Sequence, residues 1–151
     1  MPTFEPQDPD FEVRIRRSFA RQAALVTMGA SLTRVGPGEV EIQLPFRPEL
    51  SQQHGFLHAG VTTAVVDTAC GYAALTLMPA GAAVLSIEFK VNLLAPGQGE
   101  RFIATGRVVK PGRTLTVCAG EVEAVRGGAR QTVAIMQATM MSVRDRPGLV
   151  D

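Results

Sequence analysis

The chain has 151 residues, enough for one domain whose core needs no covalent staples. Its 15 Lys and Arg against 14 Asp and Glu leave no overall field directed at nucleic acid or an acidic partner. Two cysteines, Cys70 and Cys118, stand in no metal-binding spacing, which argues against a disulfide framework and a zinc site. They read as buried thiols of a reducing cytoplasm.

The opening segment MPTFEPQDPDFE is acidic and proline-rich, without the basic and apolar regions of a signal peptide. No apolar run reaches the ~20 residues of a membrane span. A cytoplasmic protein with neither membrane nor nucleic-acid partner is therefore expected. Residues 1–9 read as a flexible arm, residues 10–144 as one domain, and residues 145–151 as a tail.

Phe11, Ile15, Phe19, Gln22 and Val26 follow helical spacing after a candidate N-cap at Asp10, predicting one helix from about Phe11 to Leu25 that Gly29 ends. Ala30–Val35 and Val40–Pro45 read as strands joined by the turn Gly36-Pro37-Gly38, with Glu41 and Gln43 on a wet face. Next comes the stretch QQHGFLHAGVTTAVVDTACGYAALTL, from Gln52 to Leu77. It passes from a His-Gly turn into a helix that is apolar on nearly every side, as in a helix that other elements wrap. Asp67 interrupts it. An ionised carboxylate in such a place costs several kcal/mol unless it is paired or hydrogen-bonded.

Met78-Pro79-Ala80-Gly81 stops that helix. Strand-like runs then follow at Ala83–Leu94, Arg101–Val109, Thr114–Val125 and Arg130–Val143, separated by turns at Pro96-Gly97, Pro111-Gly112 and Gly127-Gly128. Their lengths and tight turns predict an antiparallel meander without crossover helices. The expected class is α+β: a long central helix wrapped by a curled antiparallel sheet, with an accessory N-terminal helix.

Several of these residues occur together in a known pattern. Gln52, His54 through Gly60, Asp67-Thr68-Ala69, the run from Ser86 to Pro96, Gly99-Glu100, and Gly106 through Thr114 resemble the hotdog-fold acyl-CoA thioesterases. More narrowly they resemble the phenylacetate-degradation (PaaI-type) branch, over roughly residues 40 to 142. The resemblance implies a homodimer, or a tetramer built from such dimers. In it, two sheets pair edge to edge and the active sites form between subunits. It also implies an acyl-CoA substrate and no metal or cofactor, coenzyme A entering as part of the substrate. The family's helix carboxylate matches Asp67, its loop histidine His58, its amide side chain Gln52 and its strand hydroxyl Ser86. The family's usual His-Gly-Gly departs here to His58-Ala59-Gly60.

The chemistry of the residues agrees with these roles. A desolvated Asp67 suits a general base to water or a direct nucleophile, against the alternative of an interface carboxylate that merely ties elements together. The first amides of the helix, near Ala59 and Gly60, are unpaired and lie at the positive end of its dipole, suited to an oxyanion. His58 and Gln52 are candidates for holding the thioester, and Ser86 and Thr68 for holding water or Asp67. His54 reads as a turn residue. Arg107, Lys110, Gly112, Arg113 and Thr114 form a basic turn suited to the phosphates of coenzyme A, although a solvated hairpin tip has the same composition. A 3-hydroxyacyl-thioester dehydratase of the same fold and a non-catalytic acyl-CoA-binding module are the alternatives to a hydrolase.

Overall fold

The computed structural model describes residues 3–149 and residue 151. Among them, helices α1 (Phe11–Ala20) and α2 (Ala23–Met28) precede strands β1 (Ser31–Gly36) and β2 (Glu39–Pro45). The central helix α3 (Ala59–Leu75) follows, then β3 (Ala83–Leu93), β4 (Arg101–Lys110), β5 (Leu115–Arg126) and β6 (Ala129–Val143). All strand pairings are antiparallel, in the order β1-β2-β4-β5-β6-β3, and α3 lies across one face.

This order corrects the expected meander. Of the four strands after α3, only β4, β5 and β6 are consecutive neighbours. Helix α3 is itself a crossover, carrying the chain from β2 near one edge to β3 at the other. The turn after β3 therefore does not make a hairpin with β4: β3 pairs with β6 instead.

The inner face is built for close approach. Val40, Ile42 and Leu44 of β2, Phe102 and Ala104 of β4, and Ala134, Met136, Ala138 and Met140 of β6 are buried against α3. At the centre, Gly106 pairs with Gly120 across β4 and β5. A Cβ on Gly106 would lie 2.3 Å from the carbonyl carbon of Ala69, and one on Gly120 would lie 2.5 Å from Val66 Cγ2. These two glycines form a notch that seats the backbone of α3. Beyond it, every residue from Ala69 to Leu75 is buried.

The expected single helix over 11–25 is broken at Arg21–Gln22. Gln22 turns to an extended backbone, and its side-chain Nε2 donates to Tyr72 Oη at 2.9 Å. Gly29, with φ 79°, ends α2 as expected of a left-handed C-terminal residue. Of the segment expected as an arm, Met1 and Pro2 lie outside the described residues. In the rest, Asp8 is buried beside Arg14 at 3.3 Å and Gln7 donates to the Leu77 carbonyl. Arg14 donates to the carbonyls of Leu75, Met78 and Pro79 at 2.7–2.9 Å, a cation at the negative end of α3. No helix among the described residues is long and apolar enough to cross a membrane.

Candidate active site

Asp67 sits half-buried on the one face of α3 that the chain's own sheet leaves partly open, with Thr63, Ala64 and Thr68 also half-buried beside it. Ser86 Oγ donates to Asp67 Oδ1 at 2.8 Å and lies 3.3 Å from Met140 Sδ. Ser86 borders a β-bulge, where the register of β3 against β6 shifts before Glu88, and such bulges re-aim side chains beside functional sites. Burial pushes the Asp67 carboxyl above its ordinary value of 3.8, opposed by the Ser86 hydrogen bond. Near neutral pH the result is a more basic carboxylate with one oxygen fixed. Thr68 Oγ1 is turned back to the Ala64 carbonyl at 2.8 Å, leaving its lone pairs to the cavity.

The other candidates assemble elsewhere. His58 is the N-cap of α3, and its Nδ1 accepts the Gly60 N–H at 2.8 Å. The Val61 N–H goes to the His58 carbonyl at 2.9 Å. Neither bond uses the Ala59 N–H. The imidazole nitrogen thus holds the place that a substrate oxygen at Gly60 would take. Gln52 Oε1 accepts from the backbone amides of His54 and Phe56, tying the turn with its carbonyl end. Its NH₂ is the end left to meet a substrate. Gln52 and Ala59 line a groove of about 410 Å³ with Phe56, Leu93 and Leu94.

Asp67 belongs to a separate hollow of about 170 Å³ that shares no lining residue with this groove. Ala59 and Asp67 are eight residues apart on one helix, about 12 Å along its axis. One chain does not bring base and amides onto the same carbonyl.

The basic turn is also divided. Lys110, Gly112, Arg113 and Thr114 are exposed at the tip between β4 and β5. A Cβ on Gly112 would lie 2.2 Å from the Leu115 carbonyl oxygen, so this position has to be glycine. Arg107 is not brought to the tip: on the outer face of the sheet it donates to Glu39 and Glu121, each at 2.7 Å. Arg144, which the sequence reading did not single out, donates to the Arg113 carbonyl at 3.0 Å. Both arginines border a hollow of about 460 Å³. Gln22 and Tyr72 beside Asp67 were likewise missed: Gln22 reads as a helix residue and Tyr72 as core.

Residues 54–130 match the Thioesterase superfamily. The chain belongs to it. A thioesterase family protein from Silicibacter pomeroyi is 50% identical, with a TM-score of 0.88 over 89% of this chain and 98% of that one. Acyl-coenzyme A thioesterase 13 from Homo sapiens is 30% identical over 66% of this chain and 68% of its own length. The PaaI protein of the phenylacetic acid degradation operon of E. coli shares the fold, with a TM-score of 0.79 at 18% identity over 93% of this chain and 96% of that one. The protein is a thioester hydrolase. The dehydratase and the non-catalytic binding module, both open from the residues alone, give way to that activity.

Proposed function

We propose that this thioesterase hydrolyses acyl-CoA thioesters at sites formed between two copies of the chain. Asp67 of one copy is the general base, and the turn around Gln52, His58 and Ala59 of the other holds the thioester. The observation that carries this reading is the division of the site. A basic carboxylate and a set of carbonyl-binding amides lie about 12 Å apart on one helix, each at its own open hollow.

In the reaction, the free oxygen of Asp67 takes a proton from water while the water oxygen attacks the thioester carbon. The carbonyl oxygen gains charge and displaces His58 Nδ1 from the Gly60 N–H, with the Ala59 N–H beside it. The Gln52 NH₂ orients the same carbonyl. When the carbon–sulfur bond breaks, the proton held by Asp67 passes to the departing thiolate. Ser86 keeps the carboxylate aimed throughout.

The edge strand supports the pairing. β3 leaves Leu85, Ile87, Phe89 and Leu93 between 39% and 54% exposed on an open sheet edge, an aggregation hazard unless covered. A second β3 placed antiparallel to it satisfies the edge and brings a second α3 over Phe89 and Leu93. Sedimentation at micromolar concentration is expected to show a dimer or larger species and no folded monomer. A stable compact monomer would undo the two-chain site.

The nucleotide end of coenzyme A is assigned to Lys110 and Arg113. Replacing both with Ala should raise KM for acyl-CoA, while thioesters of a truncated thiol carrier should barely respond, because the reacting carbon is remote. Equal losses on both substrate types would mean a damaged fold instead.

A further inference from the structure

The hollow beside Asp67 becomes polar at its far end. Its volume of about 170 Å³ suits a short acyl group and not a long chain. Gly71 lies one turn beyond Asp67 on the same face of α3. A Cβ on Gly71 would meet nothing within 4 Å, so packing does not demand this glycine, although glycine is disfavoured inside a helix. The missing side chain keeps the space open between Asp67 and Tyr72.

At that far end the hydrogen bonds run in one direction. Gln22 Nε2 donates to Tyr72 Oη at 2.9 Å, Tyr72 Oη lies 3.1 Å from Ser18 Oγ, and Ser18 Oγ donates to Asp151 Oδ1 at 2.8 Å. A carboxylate only accepts, so Ser18 spends its single proton on Asp151 and must accept the proton of Tyr72. Burial pushes the Tyr72 phenol upward, which keeps that proton in place. Tyr72 therefore has no donor left and offers an oxygen lone pair. The Asp67 and Asp151 carboxylates line the same hollow and also accept.

We propose that this hollow takes a short acyl group bearing a hydroxyl, with Tyr72 and Gln22 as specificity-determining residues. Asp151 already accepts from Ser18 and, through its other oxygen, from the Val84 N–H at 3.1 Å, so the hydroxyl's proton goes to the open lone pair of Tyr72. A terminal carboxylate brings a third negative charge between Asp67 and Asp151. An alkyl end covers polar oxygens without replacing their bonds to water. Tyr72 lies more than one helical turn past Asp67, so the hydroxyl belongs at the end of the acyl chain remote from the thioester carbon.

This substrate class rests on the reading of Asp67 as base. The test uses the wild-type protein and the Tyr72→Phe variant with 4-hydroxybutyryl-CoA, pentanoyl-CoA (of equal acyl size) and succinyl-CoA. The wild type should favour 4-hydroxybutyryl over pentanoyl by about tenfold or more in kcat/KM, and should turn over succinyl most slowly. Tyr72→Phe should lower the hydroxybutyryl-to-pentanoyl ratio about tenfold to hundredfold. Equal or better use of pentanoyl-CoA by the wild type overturns the proposal. So does an unchanged ratio in Tyr72→Phe, or cleavage of longer acyl-CoAs but none of these three. Failure to cleave any acyl-CoA would instead remove the base along with the pocket, so the two failures are distinct.

Discussion

Replacing Asp67 with Asn is expected to lower kcat and kcat/KM together, by about 10²–10⁴-fold, the usual cost of a lost general base. A lost nucleophile would cost more. Asn keeps the shape and can still accept from Ser86, so geometry survives and only the basic oxygen is removed. In the wild type the base must be deprotonated. Its acid limb should therefore fall at a pH above that of an ordinary carboxylate, because burial raises Asp67 from 3.8. The same shift has a thermodynamic side. Between 3.8 and the raised value the folded state binds the extra proton, so Asp67 subtracts stability as pH rises through that window. Asn removes this loss, and stability at neutral pH should hold or rise slightly. If Asp67 only ties elements together, the variant should loosen the dimer and leave turnover per dimer intact. Hydrolysis and dimer dissociation measured on one preparation decide between these outcomes.

Gly106→Ala should cost considerable stability for a single added methyl group. The added Cβ would sit 2.3–2.4 Å from the Ala69 carbonyl group and the Cys70 nitrogen, all backbone atoms of the central helix. No rotamer change relieves such a clash, so α3 must lift from the sheet. Overpacking of this kind costs about 1–3 kcal/mol or more. For a domain of this size that lowers Tm by about 2–4 °C per kcal/mol. Asp67 lies two residues before Ala69, so activity should fall with the helix displacement. Gly36→Ala is the control, since a Cβ there meets only the Glu39 carbonyl oxygen at 3.9 Å. A Gly106→Ala protein melting with the wild type would mean that the notch does not set the height of α3.

The central helix and its anomaly were legible in the residues. An apolar stretch without a wet face has to be wrapped, and one carboxylate inside it has to be explained by chemistry or by partners. The strands of the second half were legible too, because period-two patterns and Pro-Gly and Gly-Gly turns are local signals. Their neighbours were not. Alternation assigns each residue to a face but does not say which edge it reaches, so β3 read as the start of a meander when it closes the opposite side of the sheet.

The composition and pattern of this chain determined its class, most of its elements and the identity of Asp67 as the residue to question. The tertiary structure decided what surrounds that carboxylate. The bond from Ser86 joins residues 19 apart across a bulge that no local signal marks. The break at Gln22 follows from a hydrogen bond to Tyr72, 50 residues away, which overrides the helical spacing of 11–25. Arg107 looked like a member of the basic turn until Glu39 and Glu121, each on a neighbouring strand, claimed it. Local order follows from residues a few positions apart. The polarity of the site comes from side chains that only the folded sheet and helix bring within hydrogen-bonding distance.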